Sequence, residues 1–534
     1  SVMKSCCKAL SLMSTANALI QALVHECNGI ELVVCALGRH IKEEECAFYA
    51  IEAIAELCFY NTINAETAGE AACRLIVKAI QQHNACEPVH EASCRAIYAL
   101  KPLNEIWGTS GASEAVLPIL SSHSDSELVT QRVCQAIGSL AEFQSNKKLL
   151  GDCGACEALV HVLSFHMAKV DFWTLLQMKR AASEQIALYG ADAMYHLACG
   201  SGEVELNHRQ KFISGGALQI LAKALNLYGE SSCVTKACLR AAVIIAEGTQ
   251  NHAARLMGNL GMCSLAVDAL HTFPANKHVV EWGMRLVAYL SICGSINVSW
   301  LAEAGACEAA SMIILAHLDN AAVIGAGCDA LCGLAMYETH ATRLGQTGSC
   351  EAVVAVLNTH ASDTDVAERA CRAMANLARV KSNSNWLGPA GASGALIATY
   401  RANPTSESVV QSAWSAVSQI CSSRENCYRM HLACEPLVHS LESLAHSSDV
   451  ARAASFAISK LSKDGLSNNS QRLLKACVCE NIVAALSLHR DDQYTAFSLL
   501  RCVSILANGP DREQERDRLG KANGCEIIIN AMKK

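Results

Sequence analysis

Only 8 of the 534 residues are proline and only 5% are aromatic. Few prolines leave long helical segments unbroken, and few rings mean that the core must be filled by small aliphatic side chains. Charge of one sign is not concentrated anywhere. The 43 basic and 50 acidic residues give a net charge of -7 with no basic stripe, which argues against nucleic acid as a main ligand. Long apolar runs are missing too, so no transmembrane helix is expected, and no secretory leader is recognisable after Ser1. Phosphate-binding loops, H-E-x-x-H, G-x-S-x-G and paired-carboxylate patterns are also absent, so the expectation is a non-enzyme with no cofactor.

What is abundant is cysteine, at 29 residues inside helical apolar patterns. So many thiols in so large a chain point to a reducing compartment. The cytoplasm is the expected one, with the nucleus or an organelle surface as alternatives.

One stretch poses the functional question sharply. "CGACEALVHVLSFH", Cys153 to His166, holds two cysteines at a redox or zinc-like spacing, a glutamate and two histidines. It is not alone. "GACEAASMIILAH" (from Gly305), "GSCEAVVAVLNTH" (from Gly348) and "GASEAVLPILSSH" (from Gly111) repeat it, and fainter copies place the slot of Glu157 at twelve positions from Glu31 to Glu526, about 43 residues apart. A second motif follows 26 residues after most markers, ending at Leu57, Leu140, Leu334, Leu377, Leu461 and Leu506. Each copy therefore holds two helices with apolar faces of period 3.6.

A shorter element precedes the glycine, as in "NSNWLGPAG" (from Asn383), "NVSWLAEAG" (from Asn297) and "NKKLLGDCG" (from Asn146). The asparagine is expected to cap that short helix, and the glycine to let the chain turn into the next one. A short Asn-led helix, a glycine break and two longer helices in about 43 residues resemble the armadillo repeat. The two-helix HEAT repeat lacks the recurrent short helix. The resemblance, of the importin-α and β-catenin kind, implies an all-α, right-handed superhelical solenoid: about 11 three-helix units with partial units at both ends. One continuous array over residues 1–534 is expected, as a segment of a longer protein.

A residue repeated at a structural period serves the period. Cys73, Cys156, Cys263, Cys307, Cys350, Cys434, Cys479 and Cys525 share one slot and should fill a narrow gap between stacked repeats. His40, His83, His123, His166, His317, His360 and His489 share another, at the end of the second helix, where an imidazole can bond free terminal carbonyls. Neither set is expected to bind metal, since four ligands would have to converge. One departure stands out: the fourth copy is 14 residues longer than its sisters within Met167–Ser183. Phe172, Trp173 and Leu176 there are either packed on the next repeat or displayed as a docking element.

The resemblance implies that the third helices line a concave groove for extended partner segments. The family's asparagine ladder is nearly missing. Asn376 alone occupies it, with Gln419 at the same slot of the next copy and Trp414 one residue from where a companion tryptophan would stand. One turn earlier lie Arg95, Arg285, Arg372 and Arg501, which suit carboxylates, unless neighbouring acids already neutralise them. The resulting expectation is a scaffold that binds other proteins, through extended or acidic segments, in this groove. The alternatives are an importin-α-like cargo adaptor, a myosin co-chaperone-like module and the regulatory arm of a larger enzyme.

Overall fold

The computed structural model describes residues 2–169, 180–249, 251–422, 424–462, 467–508 and 512–532. Every regular element among them is helical. The chain divides into two compact units, Ser1–Leu265 and Ala266–Lys534. In each, the cadence of short, second and third helix recurs as the sequence predicts.

The third helices carry the stacks. In the first unit they are α1 (Val2–Ser14), α2 (Glu44–Cys58), α3 (Glu87–Ala99), α4 (Glu127–Leu140), α5 (Arg180–Ala198) and α6 (Ser232–Ala246). In the second they are α7 (Lys277–Cys293), α8 (Ala321–Leu334), α9 (Thr364–Leu377), α10 (Glu407–Ile420), α11 (Ser448–Ser462) and α12 (Gln493–Ala507). Within each unit every third helix packs against the next. Their contact faces are alanine, cysteine and short aliphatics, as in the buried Ala370, Cys371, Ala373 and Met374 of α9. Small residues let helix axes approach closely, which is why this core manages with few rings.

Helix starts follow capping chemistry. Asn320 and Asp363 accept hydrogen bonds from the backbone N–H groups of Val323 and Val366, both at 3.2 Å. The glycine break also behaves as expected. Gly348 has φ +87°, and at the equivalent Gly305 the short helix Ser295–Glu303 and the second helix Ala306–Ala316 meet at 73°. No single helix among the described residues is long and apolar enough to cross a membrane.

Two expectations need correction, and both reveal how repeats are joined. The leading asparagine of the short helix is not its cap. Asn383 lies inside Lys381–Leu387, fully buried. Its Nδ2 donates to the carbonyls of Ala341, 42 residues back, at 2.7 Å and Leu377 at 3.1 Å. Asn64, Asn146, Asn426 and Asn469 likewise donate to the preceding short helix, at Gln21, Asn104, Ser384 and Cys427. The helix behind makes room with glycine: a Cβ on Gly108, Gly345 or Gly388 would collide with the Oδ1 of Asn146, Asn383 or Asn426.

The histidines do not serve their own helix either. The Nε2 atoms of His83, His317, His360 and His489 meet the backbone carbonyls of Ile41 (2.7 Å), Pro274 (2.6 Å), Leu318 (2.6 Å) and Ala445 (2.8 Å), each in the preceding repeat. Asn403 does the same to Ala361 at 2.6 Å. A buried carbonyl beyond the end of a helix must find a donor, and here the next repeat supplies it. The cysteine slot is buried as expected from Cys73 to Cys479, but Cys525 is exposed. Burial raises these thiols, to about 12 for Cys156, Cys307 and Cys350.

Around the long fourth copy, the second helix runs Ala155–Lys169, 15 residues against 11 for Ser349–Thr359, and α5 has 19 residues. Phe172, Trp173 and Leu176 lie outside the described residues.

Candidate protein-binding face

The third helices present the slots singled out in the sequence, and the two units use them differently. In the first unit, Arg95 of α3 lies among three carboxylates. It contacts Glu52 at 3.6 Å and Glu56, both on α2, and its own-helix Glu91 at 3.8 Å. Glu91 in turn takes Arg132 of α4 at 3.1 Å. Desolvation and the crowding of Glu91 and Glu56 raise the pKa of Glu52. Beside this network a cavity of about 660 Å³ opens, with Tyr60, Tyr98, Gln135 and Tyr189 in its wall. Tyr60 holds a left-handed backbone (φ +55°) and is exposed, a conformation that costs a tyrosine about 1–2 kcal/mol.

In the second unit, Arg372 donates to Asp329 of α8 at 2.7 Å and approaches Glu368 at 3.5 Å. Arg369 takes the other oxygen of Asp329 at 2.6 Å. Arg285 pairs with Glu281 at 3.0 Å and lies over the Trp282 ring. Arg95 and Arg372 are therefore lateral rungs: each takes an acid from the third helix before it. Asn376 is half-buried and donates to the Cys332 carbonyl at 3.2 Å, again across repeats. Gln419 is exposed on α10.

Trp414 is a correction. It is fully buried, its Nε1 donates to Ser440 Oγ at 2.9 Å, and its ring packs on Tyr400. A ring in that position fills the core between α10 and Cys434–Ser443, so it lines no groove.

The last two third helices carry exposed cations together with exposed rings. Lys460 of α11 and Arg501 of α12 are exposed and form no ion pair among the described residues. Phe456, one turn before Lys460 on α11, is 40% exposed, and Phe497, one turn before Arg501 on α12, is 65% exposed; the Arg501 guanidinium lies 5.9 Å from the Phe456 ring. Phe456 occupies the slot that holds Arg372 in α9, and Lys460 the slot of Asn376. The sequence reading missed both phenylalanines because it followed charge along that slot. The usable signal was a phenylalanine where the register calls for a surface residue.

No protein-family model matches this sequence, and no curated protein matches it significantly. Solved structures do match. One, described as a phosphorylation switch controlling the interaction between cadherin and beta-catenin, is 15% identical with a TM-score of 0.69, covering 90% of this chain and 91% of that one. Two engineered proteins, 24% and 20% identical, cover 46% and 51% of this chain at a TM-score of 0.41, too low to carry an argument. The fold is thus an armadillo-type α-solenoid of the β-catenin kind.

Proposed function

We propose that this chain is a non-catalytic scaffold whose third-helix face holds extended segments of partner proteins. The segment assigned to α11 and α12 carries carboxylates among apolar side chains. The observation that supports this is the pairing of Lys460 and Arg501, which form no ion pair among the described residues, with exposed Phe456 and Phe497. Elsewhere on the face, Arg95, Arg285 and Arg372 already have acids, so a ligand would have to compete with them. An exposed cation with no acid of its own draws a complementary carboxylate to the face, and exposed aromatics are the usual anchors of an interface. Likeness to the beta-catenin structure is consistent with a binding role. A cargo adaptor or the regulatory arm of an enzyme would differ in what is attached to the array, not in how this face grips.

The test is fluorescence binding of synthetic peptides that are acidic–apolar, neutral–apolar or basic. The acidic–apolar peptide should bind, Lys460→Glu with Arg501→Glu should weaken it at least ten-fold, and Arg372→Glu should change it less than two-fold. Equal binding of the neutral peptide, or indifference to the double reversal, refutes the assignment.

A further inference from the structure

We propose that His40, Glu43 and Cys46 form a binding site for a single divalent transition-metal ion of the zinc class. His40 ends the second helix Gly29–His40, Glu43 precedes α2, and Cys46 is in its first turn. His40 Nδ1 lies 3.1 Å from Glu43 Oε1, and Cys46 Sγ lies 3.3 Å from Glu43 Oε2. All three donor atoms fall within 4.8 Å of one another, and no other such group of three occurs among the described residues. Ligands held at about 2.0–2.3 Å around a tetrahedral ion stand about 3.3–3.5 Å apart. The two contacts to Glu43, at 3.1 and 3.3 Å to its two oxygens, are close to that spacing, and a contraction within the 4.8 Å envelope would complete the site.

The repeat pattern accounts for His40 but not for its two neighbours. Where Glu43 stands, sister copies have Ser126, Asn320, Asp363 and Asp492, whose side chains cap the following helix. Glu43 makes no capping bond and turns to His40 and Cys46. Where Cys46 stands, the sisters have the buried valines Val89, Val129, Val323, Val366, Val409 and Val450. Two departures from the register thus converge on one imidazole.

The chemistry of the three donors agrees. Nitrogen, sulfur and one carboxylate oxygen form a borderline-soft set that suits zinc and not magnesium or calcium. Thiolate and carboxylate together offset the charge of a divalent ion. Binding through Nδ1 leaves Nε2 protonated, the form the sister histidines use toward backbone carbonyls. The thiol proton is released to solvent as the sulfur–metal bond forms. Cys46 is buried and Glu43 exposed, so the fourth position faces solvent and takes water.

The experiment is a titration of the reduced full chain with Co²⁺ as a spectroscopic probe, followed by displacement with Zn²⁺. One equivalent should produce a thiolate-to-cobalt band in the near ultraviolet with tetrahedral visible bands. Cys46→Val should abolish the near-ultraviolet band, and Glu43→Ser should weaken binding at least ten-fold. Both variants install the sister repeats' own residue types, so they should fold, as circular dichroism checks. A chain with no one-equivalent band, or a band that survives both substitutions and so belongs to other exposed thiols such as Cys35 or Cys153, overturns the proposal.

Discussion

Replacing Asn383 with alanine removes a buried amide that ties one repeat to the one before it. Its Nδ2 makes two hydrogen bonds, at 2.7 and 3.1 Å, and none of the residue is exposed. Each lost bond is worth about 0.5–1.5 kcal/mol, and an unsatisfied buried acceptor costs about 1–3 kcal/mol. The acceptors here keep some compensation, since the Leu377 carbonyl also accepts from Val380 N at 3.3 Å. The lower end of both ranges therefore applies, about 2 kcal/mol. The void left beside Gly345 adds roughly 1 kcal/mol. Asn376→Ala in the same repeat is the control, because it loses one bond at 3.2 Å from a half-buried position and should cost about 1 kcal/mol or less. Urea unfolding followed by circular dichroism gives the overall loss. Hydrogen exchange of residues 338–387 shows whether the loss is local, as a stack coupled through nearest neighbours requires. If Asn383→Ala proves no more damaging than Asn376→Ala, the buried asparagine is not the staple described above.

Two further outcomes follow from protonation. Burial is the main cause that lowers the pKa values of His90, His166 and His196, all in the first unit, below the ordinary 6.5. The unfolded chain then binds protons before the folded one as pH falls below about 6.5, so stability is full above that value and declines beneath it. Protection factors in the first unit should fall as the pH is lowered from 7 to 5.5, and protection factors independent of pH refute this. Among the thiols, exposed Cys27, Cys35, Cys233 and Cys477 should alkylate readily near pH 8, whereas Cys156, Cys307 and Cys350, pushed up to about 12, should resist until the array opens. Mass spectrometry of the labelled peptides checks it.

The fold was legible because its information is periodic. Marker, glycine and terminal leucine recur often enough to give the helices, their order and the buried cysteine slot without any long-range contact being known. The two ladders were visible only as letters. Asn383 and His360 were each assigned to their own helix, since a sequence shows neighbours along the chain and not the residue 42 positions back that a stack brings into contact. The same limit governs the face. Arg95 and Arg372 look like free cations in one dimension, and only packing shows that Glu56 and Asp329 already hold them. Trp414 failed for a related reason: one step along a helix is a rotation of about 100°, which separates groove from core.

These observations also say where specificity can reside. Repeats are joined by polar groups at two places away from the third-helix face: the asparagines of the short helices and the histidines after the second helices. Cohesion there depends on backbone carbonyls, which every residue has, so it does not restrict which side chains the third helices display. Slots on that face are then free to vary from repeat to repeat without loss of the stack. That freedom explains how α9 can use Arg372 as a rung toward Asp329 while, one and two helices on from α10, the same slot holds Phe456 and then Arg501. A slot occupied by a rung is closed to ligands. Under the proposed function, a slot with an exposed ring beside a cation that has no acid among the described residues is open to them, and α11 and α12 are where such slots adjoin.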